Sequence, residues 1–143
     1  MQPDDVMLNK ASIIERCIRR IRDEYRADPD LKNITHTDAL TLNVERACQA
    51  AIDLAMHLVA KRHLGVPQSS AESFVLLNKA GHIDAALARA LQGMTGFRNI
   101  AIHEYQEVDD GVLHWIARDG WKDWIRLCQA LGIQLEASPA DGG

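Results

Sequence analysis

Arg98, Asn99, His103 and Tyr105 stand within eight consecutive residues and are the side chains best equipped here for acid–base and anion chemistry. An arginine keeps its charge at any ordinary pH, and an imidazole titrates near neutrality. On a helix turning about 100° per residue, with Arg98 at zero, Tyr105 falls near −20°, Asn99 near 100° and His103 near 140°. Met94, Phe97 and Ala101 fall between about −40° and −100°, so the four polar residues share the arc facing away from that apolar stripe, with only Ile102 among them. Arg98 and His103 lie about 140° and about 7.5 Å of rise apart, too far to bond each other on a straight helix. They suit a phosphodiester held between them, the guanidinium as a bidentate clamp and the imidazole as proton donor or acceptor. Spacing alone does not decide: about 0.45 Arg-x4-His pairs arise by chance in a chain of this composition. The competing reading is a surface helix with scattered polar residues.

Other chemistry is sparse. The chain has no Walker loop, GxGxxG, GxSxG, HExxH or CxxC. His57 follows Asp53 by four residues, which is half of a metal site at most; an ion pair or half-buried histidine is the simpler account, and no metal or cofactor is expected. His36, His63, His82 and His114 fall near expected helix ends or loops and read as solvated. Formal net charge is −4, which excludes a bulk cationic nucleic-acid binder. Between Lys10 and Arg26, however, Lys10, Arg16, Arg19, Arg20, Arg22 and Arg26 outnumber Glu15, Asp23 and Glu24. That stretch reads as a solvated face of Glu/Arg pairs, with contact to RNA phosphates as its alternative.

The elements that must position these residues are helical. The chain has 143 residues, 47% hydrophobic and 25% charged, which fits one globular domain. Only 5% are aromatic, poor material for a sandwich or barrel. The periodicity predicts a first helix over 6–26, ended by Asp28-Pro29-Asp30. A second follows a cap near Asp38, with Leu40, Val44, Ala47, Ala51, Leu54 and Leu58 as its stripe and Gly65-Val66-Pro67 as its stop. Ser69 caps a short third helix that Gly81 ends. A fourth begins near Ile83. A fifth runs over 108–131 with Val112, Ile116, Trp124, Cys128 and Leu131 inward, its glycines counting against continuity. The expected fold is all-α: an antiparallel bundle of four long helices and one short one, a single domain over 1–135 with frayed residues 1–5 and a disordered tail at 136–143. Cys17, Cys48 and Cys128 are scattered and read as reduced thiols, and no secretory signal or bilayer-spanning run is visible. A soluble cytoplasmic protein with no membrane partner is expected.

The segment Arg98-Asn99-Ile100-Ala101-Ile102-His103-Glu104-Tyr105 resembles the RX4HXY motif of HepT toxins, a DUF86-like branch of the HEPN superfamily. The resemblance extends to 42–55, which looks like that family's second helix, to Gly65-Val66-Pro67-Gln68-Ser69-Ser70 with Phe74, and to Gly96-Phe97, and so covers most of 8–131. It implies a HEPN-like helical bundle that forms a homodimer with two motif copies in one cleft and acts as a metal-independent endoribonuclease. It also implies an MNT-type nucleotidyltransferase antitoxin that neutralises the toxin by AMPylation. By position, Arg98 and His103 match the catalytic pair, Asn99 a supporting polar residue and Tyr105 the modified tyrosine.

RNA carries its own nucleophile, the ribose 2′-hydroxyl, so such an enzyme needs proton transfer and charge stabilisation. A second reading, from another class, is a non-catalytic HEPN partner that binds a nucleotidyltransferase or nucleotide in the same cleft. A third is a bundle with adaptor duties.

Overall fold

The computed structural model describes residues 2–103 and 110–135, with side chains described for all of these except 98–103. The chain forms α1 (Asp5–Ala27), α2 (Ile34–Lys61), α3 (Ser70–Lys79), α4 (Ala85–His103), α5 (Asp110–Trp115), a π-helical turn (Ile116–Gly120) and α6 (Trp121–Ala130). Counting α5, the π turn and α6 as one interrupted rod, this is the expected all-α bundle of four long helices and one short one.

Local chemistry sets the ends. Asp4 caps α1 by accepting from the Met7 amide at 2.9 Å, and Met7, Ala11, Ile14, Cys17, Ile18 and Ile21 form its buried stripe. Asp28 then receives the amides of Lys32 and Asn33 on its two carboxylate oxygens, which folds the chain back on itself. Asn33, not Asp38, caps α2. The first turn of α2 carries no apolar periodicity, since Ile34 is exposed, so sequence pattern starts the helix a turn late. At the other end α2 stops before Gly65. His63 takes a positive φ of 53°, and the Leu64 amide reaches back to the Val59 carbonyl, closing the helix two residues early. Ser69 caps α3, and Gly81, at φ 83°, ends it as expected.

All six residues of the expected α2 stripe are buried. Lys10 reaches Asp53 at 3.3 Å, and Asp4 reaches His57 and Lys61, so the start of α1 lies against the end of α2 and the two run antiparallel. Asp4 and Asp5 are therefore tied down rather than frayed. Trp124 of α6, 1% exposed, sits at the centre of the core with Phe74, Leu54, Leu58 and Leu91 also buried. The Cys48 thiol lies 3.4 Å from the Met94 carbonyl, joining α2 to α4.

The last rod departs from expectation. Val112 is partly exposed and Leu113 takes its inward place. The π turn inserts an extra residue per turn and shifts the register between α5 and α6. Gly120 belongs there for a steric reason: a Cβ at that position would stand 2.8 Å from the Trp115 ring. The expected start of this rod at 108 and the tail at 136–143 lie outside the described residues.

Candidate active site

α4 carries the Arg98–His103 part of the motif. Asp84 accepts the Leu87 amide at 2.8 Å and sets the start of the helix, which runs unbroken through His103. Along its described part, Leu87, Ala88, Leu91, Met94, Thr95 and Phe97 are buried, whereas Arg89, Gly93 and Gly96 are exposed. Helical register extends both rows. Position 98 comes one turn after Met94, in register with the buried row and not on the open arc expected for it beside His103, whereas position 103 comes two turns after Gly96, along the row that also holds Gly93 and position 100. A Cβ at Gly93 or Gly96 would meet nothing within 4 Å, so this row is open backbone that another surface can approach closely. The backbone thus brings Arg98, Asn99 and His103 onto one continuous helix. Their side chains, and all of Tyr105, lie outside the described residues.

Several other titratable groups have structural partners. His57 Nε2 donates to Asp4 Oδ2 at 2.7 Å rather than pairing with Asp53, which is engaged by Lys10 and by Gln49 at 2.8 Å. His36 pairs with Glu24 across the α1–α2 turn instead of standing in solvent. Among the described residues, no cluster of three or more His, Cys, Asp or Glu side chains could hold a metal ion. Cys17, Cys48 and Cys128 are buried, and none is in a disulfide among the described residues. Burial pushes the Cys128 thiol up to about 12, so it is no nucleophile at neutral pH.

The α1 arginines are the solvated, paired face expected of them in part. Arg19 pairs with Glu15 and Arg20 with Glu24, each at 3.3 Å. Sequence reasoning missed what happens at the end of that helix. The Tyr25 hydroxyl lies 2.7 Å from His114 Nδ1 and accepts from Arg118 Nε at 2.8 Å. His114 is therefore not solvated. These residues stand 89 or more positions from Tyr25, and no local spacing signals their meeting.

Comparison with known proteins agrees with this scaffold. A family model described as "Ribonuclease HepT-like" matches residues 12–131. The mRNA nuclease HepT of Shewanella oneidensis is 42% identical over 113 residues, spanning 78% of this chain and 85% of that protein. The tRNA nuclease HepT of Aphanizomenon flos-aquae is 34% identical over 61 residues, 43% of this chain and 42% of that one. Among solved structures, the tri-AMPylated Shewanella oneidensis HEPN toxin in complex with MNT antitoxin superimposes with a TM-score of 0.85 at 35% identity, covering 91% of this chain and 98% of that chain. A toxin–antitoxin structure with AMP-PNP gives a TM-score of 0.85 at 34% identity, covering 90% and 98%. The bundle, with Arg98 to His103 on the fourth helix, is thus an all-α scaffold of the HEPN type, and the chain belongs to the ribonuclease HepT-like family. No helix among the described residues is long and apolar enough to cross a membrane.

Proposed function

We propose that this protein is a cytoplasmic, metal-independent endoribonuclease toxin of a HepT/MNT pair, acting as a homodimer with the motif helices of two copies facing one cleft. The observation that carries the reading is the RX4H part of the motif, Arg98 to His103, standing on an uninterrupted α4, within a bundle that matches a HEPN toxin over nearly its whole length. The open row of Gly93 and Gly96 supports close approach of a second copy on the face that position 103 continues.

The chemistry follows from the residue types. The ribose 2′-oxygen attacks the adjacent phosphorus as its proton is removed, and the bond from phosphorus to the 5′-oxygen breaks as that oxygen is protonated. His103 from one copy serves as base and its twofold mate as acid, so one residue type fills both roles. Arg98 holds the charge on the pentacovalent phosphorus, and Asn99 orients the phosphate or the imidazole. The products are a 2′,3′-cyclic phosphate and a free 5′-hydroxyl. Neutralisation proceeds at Tyr105: its phenolic oxygen attacks the α-phosphorus of ATP on the nucleotidyltransferase partner, releasing pyrophosphate and leaving AMP on the ring. Seven residues after Arg98 in the chain, that anionic group opposes RNA by charge and by bulk.

Cleavage of RNA by the purified, unmodified protein tests the reading. Wild type is expected to leave 2′,3′-cyclic ends and to arrest growth on induction. Arg98→Ala and His103→Ala are expected to do neither while keeping wild-type helicity. Retained cleavage in both variants would refute the residue assignment, and an inactive wild type would refute the nuclease.

A further inference from the structure

The network at the end of α1 is built like an anion site. Arg22, Tyr25 and Arg26 of α1 and Ala117, Arg118 and Trp121 of the last rod line a hollow of about 120 Å³. Three guanidiniums border it, and each is held differently. The Arg22 guanidinium lies 4.6 Å from the centre of the Trp121 ring. Arg26 is exposed, its ion pair with Asp23 a loose 3.9 Å. Arg118 has no carboxylate partner among the described residues; its Nε donates to the Tyr25 hydroxyl, and a terminal nitrogen lies 3.4 Å from His114 Nδ1. Because arginine only donates, Nδ1 is the acceptor in this arrangement and the Tyr25 proton points to it. Tyr25, through Nε, and His114, through one terminal nitrogen, therefore hold Arg118 while leaving its other terminal nitrogen available to an anionic acceptor. The neighbouring Asp119 and Asp123 are engaged by Lys122 at 3.6 Å and Arg126 at 2.8 Å. In a protein of net charge −4, three arginines around one small hollow are a local feature, not a reflection of composition.

We infer that Arg22, Arg26 and Arg118 form a subsite for one phosphodiester of the RNA strand away from the cleavage point, with Tyr25 and His114 as positioning residues for Arg118. The inference rests on the ribonuclease reading above. The hollow accommodates a phosphate-sized group. Arginine interleaved with aromatic rings is the usual surface for a single strand.

The test measures binding separately from cleavage. A single-stranded oligonucleotide with 2′-O-methyl groups throughout lacks the attacking hydroxyl and stays intact on the full-length protein. Its affinity is followed by fluorescence anisotropy across a salt series. The double variant Arg26→Gln/Arg118→Gln is expected to bind roughly tenfold more weakly at low salt. Its log–log salt slope should be shallower by about 0.7 for the phosphate lost. Tyr25→Phe, which keeps the ring and all charges, should lose roughly threefold with a smaller change in slope. Arg62→Gln/Lys79→Gln removes the same charge at the far end of the bundle and is expected to bind as wild type. Circular dichroism confirms that each variant folds. Wild-type affinity and slope in the Arg26/Arg118 variant, equal losses in the far-end control, or no binding by wild type overturns the subsite. Unchanged RNA binding with lost binding of the nucleotidyltransferase partner also overturns it and assigns the arginines to a protein surface. The ribonuclease reading is judged independently on ordinary RNA: an oligonucleotide held through these arginines with no cleavage of its 2′-hydroxyl counterpart removes the nuclease and leaves the subsite standing.

Discussion

Asp4 and His57, 53 residues apart in sequence, meet with Oδ2 and Nε2 2.7 Å apart, and the same carboxylate caps α1 and receives Lys61 at 2.8 Å. One side chain thereby closes the N-terminus of α1 and clamps it to the last turn of α2. The hydrogen bonds from His57, Lys61 and the Met7 amide hold the Asp4 carboxyl well below its ordinary value of 3.8. A depressed carboxylate contributes stability above its unfolded-state pKa and loses it as pH falls below that value. Asp4→Asn is thus expected to lower the melting temperature by a few degrees at neutral pH. The difference from wild type should stay level down to about pH 4 and shrink below it. Thermal melts of both proteins from pH 7 to pH 2 check this; a difference that grows on acidification contradicts it.

Tyr105→Phe removes the phenolic oxygen and nothing else. If AMP is attached there, the variant keeps cleaving RNA and arresting growth but is no longer rescued by co-expressed nucleotidyltransferase. Intact-mass analysis should show AMP-sized additions on wild type and none on the variant. Additions that persist on the variant, or that map to another residue of wild type, place the modification elsewhere.

The π turn and Trp115 are sterically linked through Gly120, where a Cβ would stand 2.8 Å from the indole. Gly120→Ala is expected to cost about 1–2 kcal/mol in chemical denaturation and to displace the half-exposed ring, altering its fluorescence. In the background Trp115→Ala most of that cost should vanish, giving a coupling of about 1 kcal/mol in a double-mutant cycle. Additive losses would mean that the glycine is needed for backbone conformation instead.

The three thiols are shielded by burial, and Cys128, fully covered, is raised to about 12. A disulfide reagent at pH 8 should label the native protein slowly, with Cys128 the slowest, and label all three thiols at once in denaturant. Fast labelling of Cys128 in the native protein would contradict the packing of α6.

Much of the scaffold is legible without coordinates. The α2 stripe repeats at three and four over five turns, and each of its members is buried, because a pattern that regular has one amphipathic solution. Ser69 and Gly81 bracket α3 as their capping chemistry requires. Misreadings concentrate where the deciding partner is remote or the turn is irregular. Asn33 replaced Asp38 as a cap because Asp28 folds the preceding loop, and His63 closed α2 ahead of Gly65. Val112 lost its inward place because hydrophobic periodicity at 3.6 cannot register a π turn.

By itself the sequence determined the helical class, the core stripes and the chemical inventory of 98–105, since each depends on residue type and on spacing within a few turns. The tertiary structure alone decided which distant side chains meet. It tied Asp4 to His57 and brought Tyr25 to His114 and Arg118. A helix's own period orders neighbours along one rod, whereas contacts between rods depend on how their faces pack in three dimensions, and no local pattern encodes that.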